Sequence, residues 1–478
     1  MSSPDLRDWL RQVDELGQLK IIEGADWNLE IGALTEMFCL QSESRPCLLF
    51  DRIKDCQPGW RLVTNSLATL ERSAMVLNMP LGVPYAQVEQ EWRRRVKGLR
   101  PLPAHTLTEG PVLENVAHGD DINLTRFPAA IWHEGDGGRY LGTASMVVTR
   151  DPDSGQVNVG TYRMMIQDRD KVGLYIAPGQ HGRLHRDKYH ERGERMPVVA
   201  VFGAHPQLFV AASLPLPLGL NEYEWAGAVR GEPVEVISGP VTGLPIPADA
   251  EIAIEGYVEP GKVLSEGPFG EYTGYYASAV RDETYIQVEA LYHRNQPIVL
   301  GSSPMRPPGE YYYVQNTIRQ AVILDALEAA GVPDVKAVAH LPGSCLGVLV
   351  VSIKQRYAGH AKQAAMVAGH TRQAGQFCRY VVVVDEDIDV HNEDEVLWAI
   401  WTRSDPARSA DVVRDCWSQP LDPRLTPEQR ETRDYTHSRM IIDATRPFHW
   451  RDRFPKVVGT SPELKEKVRD RWGALFGG

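Results

Sequence analysis

The sequence predicts an α+β protein in three parts, with a β-rich centre between two mixed segments. Three observations carry that expectation. The 478 residues exceed what one hydrophobic core usually supports. Between about 128 and 309, short apolar runs with period-two alternation follow one another, punctuated by Gly, Pro and Asp. On either side, helix-period and strand-period stretches alternate. The parts are therefore drawn at 1–127, 128–309 and 310–478.

The chain opens on an amphipathic helix. Leu6, Trp9, Leu10, Val13 and Leu16 recur at helical spacing, and Gly17 follows as a stop. A short strand at 47–50 and a helix at 67–77 come next. The stretch 99–127, rich in Pro and charge, reads as a connector or wrapping arm rather than core. Residues 145–149, 197–202, 251–258 and 285–292 read as strands. Short strands with long insertions fit a barrel or sandwich better than a doubly wound sheet. After 310, a helix at 317–330, an apolar run at 346–352, a helix at 360–370 and a strand at 380–384 alternate as in a smaller α/β unit.

Composition excludes several classes. Lys and Arg number 51 against 63 Asp and Glu, and the net charge of −12 opposes binding to a phosphate backbone. Nucleic acid is not an expected partner. The six cysteines form no CxxC pair and read as reduced thiols of a cytoplasmic protein. The N-terminus carries no secretory pattern, and no apolar run is long enough to span a membrane.

Familiar motifs fail in detail. Gly135-Asp-Gly137 is followed by Gly138-Arg-Tyr140, so the third Gly of a dinucleotide loop is missing; Gly261-Lys262 is followed by Val, and no GxSxG occurs. Asp385-Glu-Asp387-Ile-Asp389 starts like a calcium loop but has Val390 and Val396 where Gly and Glu belong, so it reads as an acidic turn at a strand end. His181-Gly-Arg-Leu-His185 has zinc-like spacing without the Glu of the HExxH helix.

Two residue sets carry chemistry. Glu266-Gly-Pro-Phe-Gly-Glu271 places two carboxylates at the ends of a Gly/Pro turn, and Arg163 offers a planar fork that matches a carboxylate. Paired with Glu266, Arg163 becomes a fixed clamp, and Glu271 is left free as a proton donor if burial raises its pKa. Asn158, His181 and Glu222 form an oxygen and nitrogen set without thiolate, suited to manganese or magnesium with phosphate oxygens completing the shell. Each residue also has an ordinary alternative: a surface ion pair, Asn158 in a turn, His181 in a loop, Glu222 at a helix start. Spacing does not decide between them. Losing a carboxylate as carbon dioxide leaves electrons that neither Arg nor Glu can absorb, so decarboxylation would require an electron-sink cofactor.

In order along the chain, Asn158-Val-Gly-Thr-Tyr-Arg163, Gln180-His181, Ala211-Ala-Ser-Leu-Pro215, Glu222-Tyr-Glu-Trp-Ala-Gly227, Glu266-Gly-Pro-Phe-Gly-Glu271-Tyr-Thr-Gly-Tyr275, Gly359-His-Ala-Lys362-Gln and Trp398-Ala-Ile-Trp-Thr-Arg403 resemble the UbiD-like decarboxylases that use prenylated FMN. The resemblance implies a central split β-barrel of flavin-reductase type, flanked by an N-terminal α/β part and a C-terminal α/β dimerisation domain. It implies that Asn158, His181 and Glu222 bind Mn2+ (or Mg2+) bridging the cofactor phosphate. Thr161, Tyr162, Arg163, Gln180, Ala212, Ser213, Leu214, Pro215 and Lys362 would contact the cofactor, with K+ near Ser213 and Lys362 on the phosphate. Arg163, Glu266 and Glu271 would be catalytic, with Glu271 returning a proton to the carbon. A flavin prenyltransferase would supply the cofactor, and a homodimer or higher homo-oligomer is expected.

The substrate class so implied is an aromatic, heteroaromatic or α,β-unsaturated carboxylic acid, decarboxylated reversibly. Residues 305–308 and 398–411 are candidate pocket walls, with Arg306 a candidate for a second acidic group. A flavoprotein oxidoreductase on the same barrel, or a non-catalytic assembly partner, are the alternatives.

Overall fold

The protein is described by a computed structural model covering residues 4–216, 219–277, 279–375 and 377–475. Asp5 caps the helix Leu6–Glu15 through a capping box with Asp8, and Leu6, Trp9, Leu10 and Val13 are buried as the helical spacing requires. Leu16 lies past the last turn and is exposed.

The centre is one curled, half-barrel sheet of antiparallel strands. Its strands run in the order Tyr140–Gly142, Met164–Asp168, Lys171–Gly173, Arg281–His293, Ile252–Val258, Met196–Phe202, Ser145–Arg150 and Val157–Gly160. The long strand Arg281–His293 binds different partners along its length. Residues 281–284 pair with Val263–Glu266, 285–287 with Lys171–Gly173, 287–293 with Ile252–Val258, and 290–293 with Asn115–His118. That single strand carries Glu266 to the same end of the sheet as the strand leaving Arg163.

Two exchanges tie the first 127 residues to the centre. Strand Ile298–Leu300 pairs with Arg61–Thr64 in a four-stranded sheet. Strands His105–Leu107 and Asn115–His118 add to sheets built from later residues. The stretch 99–127 is therefore not merely an arm: Val112, Ile122, Leu124 and Phe127 are fully buried. Its Pro and charge content reflects short edge strands and single helical turns rather than a lack of core contacts.

The C-terminal part is a five-stranded sheet in the order Val335–His340, Val348–Ile353, Tyr380–Asp385, Thr436–Ala444, Ala410–Trp417, with the three middle strands parallel. Val381 and Val383 face one core, while Val382 and Val384 face another on the opposite side. A parallel strand covered on both faces reads as an unbroken apolar run, which is why 380–384 is all apolar.

The acidic turn after that strand is held by arginines. Arg403 donates to Asp385 at 3.0 Å and to both oxygens of Asp387 at 2.9 Å. Arg446 pairs with Asp387 as well. Arg403→Ala would leave the buried Asp385 without its main counter-charge, and a loss of about 3–5 kcal/mol in denaturant unfolding is expected. A loss under about 1 kcal/mol would mean that Arg446 and solvent suffice.

Candidate active site

The strand Val157–Gly160 sets Asn158 opposite Thr149 in the ladder, then the chain leaves the sheet at Gly160. A Cβ on Gly160 would lie 2.3 Å from the Tyr162 hydroxyl, and one on Gly182 would lie 2.9 Å from it. Both glycines let the Tyr162 ring fold between that strand and the helix His181–Glu191. Glu266 ends its strand, and Gly267 turns the chain at φ +83, a conformation that favours glycine. The turn packs on Gly137, whose N–H donates to the Pro268 carbonyl at 2.8 Å.

These two turns bring Arg163, Glu266 and Glu271 together across more than a hundred residues. Arg163 grips Glu266 bidentately, at 2.9 Å through Nε and 2.7 Å through Nη2, and donates Nη1 to Glu271 at 2.6 Å. Glu271 is therefore not free of Arg163; one guanidinium bridges both carboxylates. All three side chains are almost wholly out of solvent. Burial pushes the Glu271 carboxyl up to about 7, against the pull of Arg163. The Tyr140 hydroxyl donates to Glu266 at 3.0 Å, and the Tyr175 and Phe269 rings flank the guanidinium at 5.0 and 5.5 Å. No motif signalled Tyr140, which reaches Glu266 only through the packing of the turn.

A cavity of about 500 Å³ opens on this trio. Residues 158–163, 180–181 and 212–215 line it, together with Glu222 and Glu271, while Glu266 stands behind Arg163. His181 and Glu222 occupy the first positions of two helices, His181–Glu191 and Glu222–Arg230.

Their state suits a cation. Glu222 is buried, receives the Val159 N–H at 2.8 Å and has no ion-pair partner among the described residues, and burial lifts its carboxyl to about 7. The Asn158 amide nitrogen is buried without a hydrogen-bond partner, a donor open to an acceptor such as a phosphate oxygen, while its carbonyl oxygen is the atom able to ligate a metal. Burial and the charge of Arg372 lower the His181 pKa, favouring the neutral ring that ligates metals. His185 is turned away and pairs with the Thr149 hydroxyl at 2.9 Å, so no two-histidine zinc site forms.

Some expected residues lie elsewhere. Lys362 does not line the cavity; its ammonium pairs with Asp411 at 2.8 Å on an exposed helix face. The cation that the C-terminal part brings to the wall near His181 is Arg372. Of residues 305–308 only Pro307 lines the cavity, and Arg306 is exposed. None of 398–411 lines it; Trp417, Gln419, Pro420 and Leu421 do, because the chain first runs through the edge strand Ala410–Trp417 before turning back. No helix among the described residues is long and apolar enough to cross a membrane.

Comparison with known proteins agrees across the whole length. Residues 10–91, 105–307 and 312–444 match the N-terminal, Rift-related and C-terminal domains of the 3-octaprenyl-4-hydroxybenzoate carboxy-lyase (UbiD) family. The chain is 33% identical over 452 residues to a phenolic acid decarboxylase of Bacillus subtilis, covering 94% of this chain and 93% of that one. It is 30% identical over 490 residues to a pyrrole-2-carboxylic acid decarboxylase of Pseudomonas aeruginosa, covering 98% of each. Among solved structures, the UbiD-class enzyme HmfF of Pelotomaculum thermopropionicum in complex with FMN superposes with a TM-score of 0.84 at 30% identity, over 98% of this chain and all of that one. An evolved dimeric form of HmfF with prenylated FMN gives 0.80 at 29%, over 97% and 98%.

Proposed function

The chain belongs to the UbiD family of carboxy-lyases, and on that footing we propose that it decarboxylates an aromatic, heteroaromatic or α,β-unsaturated carboxylic acid, reversibly, using prenylated FMN. The observation that carries this reading is the single Arg163 fork that joins Glu271, in the wall of the cavity shared with Asn158, His181 and Glu222, to the buried Glu266 behind it.

Asn158, His181 and Glu222 would hold Mn2+ or Mg2+ on the cofactor phosphate, at two helix N-termini that favour an anion. Arg372, rather than Lys362, would contact the phosphate. Residues 212–215 would border the flavin, with Ser213 beside K+. Prenylated FMN, when bound, supplies the electron sink that this chain's own side chains lack.

The protein's contribution is then positional and protic. Arg163, fixed by Glu266 and almost wholly out of solvent, orients the substrate carboxylate. Glu271 holds the proton that the carbon needs once carbon dioxide has left. A flavin prenyltransferase would supply the cofactor, and assembly as a homodimer or larger homo-oligomer would run through residues 310–478.

The bound flavin tests this reading. Protein co-expressed with a flavin prenyltransferase should yield, on extraction, a flavin heavier than FMN by the prenyl group, with a divalent metal in equal amount. Plain FMN with no metal after such co-expression would contradict it.

A pH effect also follows. Glu271 must carry a proton to donate one, and its carboxyl is lifted to about 7. Turnover should therefore hold below neutral pH and fall as pH rises through about 7. A flat profile from pH 6 to 9 would remove Glu271 as the acid.

A further inference from the structure

The cavity wall built by the C-terminal part carries polar groups that the chemistry above leaves unused. Arg319, from the helix Tyr312–Ala329, and His340, the last residue of the strand Val335–His340, both line it. His340 is 1% exposed, and neither ring nitrogen has a hydrogen-bond partner. A buried imidazole whose two nitrogens find no partner in the protein is costly unless a group entering the cavity binds it.

Arg319 is in a matching state. Its Nη1 donates to the Gln373 carbonyl at 2.8 Å, and no carboxylate pairs with it among the described residues. The titratable groups it feels are Tyr272 and Cys345, which also line the cavity. Both stay neutral: burial raises the Tyr272 phenol and pushes the Cys345 thiol up to about 12. Burial, helped by the same guanidinium, holds His340 down to about 3 and so uncharged. A cation thus faces the cavity with no counter-charge of its own. Tyr272 directly follows Glu271, so this group stands on the side of the proton donor.

We propose that Arg319 and His340 form a subsite for a second anionic group, so that the substrate is a ring acid with two carboxylates, one lost beside Arg163 and the other held by Arg319. The inference rests on the decarboxylase reading of this cavity. The planar fork of Arg319 matches a carboxylate, and the neutral His340 ring can donate one further hydrogen bond. A neutral substituent such as a phenol would leave the charge of Arg319 unanswered. The product, a mono-acid, would keep the retained carboxylate as its anchor. Arg306, the arginine that the sequence offers for a second acidic group, is exposed and outside the cavity.

The test compares matched acids on the wild-type holoenzyme: benzoate with terephthalate, and pyrrole-2-carboxylate with pyrrole-2,5-dicarboxylate. For at least one pair the diacid should show a kcat/KM for carbon dioxide release about tenfold or more above the mono-acid, with the gain mainly in KM. Arg319→Met should collapse that ratio, and Arg319→Lys should restore part of it. Mono-acids turned over as well as their diacids would overturn the subsite while leaving the decarboxylase reading intact.

Calorimetric titration of the purified protein with the same acids gives a readout independent of turnover. Tighter binding of the diacid, lost in Arg319→Met, supports the subsite, and equal affinities within both pairs overturn it. Absence of carbon dioxide release from every acid, alongside preferential diacid binding, would instead count against the decarboxylase reading alone.

Discussion

Glu271→Gln is expected to lower decarboxylation by about 10²–10⁴-fold while leaving flavin and metal bound. The substitution is nearly isosteric, and the amide oxygen can still accept from Arg163 Nη1, which Glu271 now does at 2.6 Å. What it removes is the exchangeable carboxyl proton. The buried position of Glu271 makes that proton available near neutral pH, since burial outweighs the attraction of Arg163 and lifts the carboxyl to about 7.

Glu266 has a different role. It takes two of the three Arg163 hydrogen bonds and one from Tyr140, so it fixes the guanidinium. The variant is measured by carbon dioxide release and by deuterium incorporation into product in D2O. Wild-type rates in Glu271→Gln would assign the proton to another group.

His181→Ala should reduce metal and flavin occupancy together, by about tenfold or more at limiting metal. The reason lies in its neighbours. Glu222 is buried with no ion-pair partner among the described residues, and under the proposal a divalent ion would be held there by Glu222, the Asn158 carbonyl oxygen and the imidazole together. Without the ion, a cofactor phosphate placed there would meet Glu222 as a repelling charge. His185→Ala is the control: its ring is engaged with Thr149, and metal content should persist. Elemental analysis and flavin absorbance on the same preparations decide the matter. Full metal and flavin in His181→Ala would contradict its assignment as a ligand.

The legible parts of this chain were those where one local pattern suffices. The periodicity of residues 6–13 and the unbroken apolar run at 380–384 fix a surface helix and a doubly covered strand without reference to anything distant. The stretch 99–127 looks like an arm in sequence because its buried residues are scattered among edge strands and single turns, too short to show a period.

At the site, Arg163, Glu266 and Glu271 could be named from motifs, yet the bridging of both carboxylates by one guanidinium depends on how two turns meet in space. Tyr140, Arg319, Arg372 and His340 carry no motif at all. Each gains its place from tertiary packing, and an Arg on a helix face looks the same in sequence whether it meets solvent or a cavity. Lys362 shows the converse: a matching local phrase placed it at the cofactor, while the helix it sits on points its ammonium to Asp411.

Carbon dioxide release from a panel of unsaturated and ring acids, measured on protein made with and without a co-expressed flavin prenyltransferase at equal flavin loading, tests the proposed chemistry most directly. Release should scale with the prenylated fraction and be nearly nil with plain FMN. Equal release from the plain-FMN protein, or oxidation of a nicotinamide donor in place of carbon dioxide release, would contradict it.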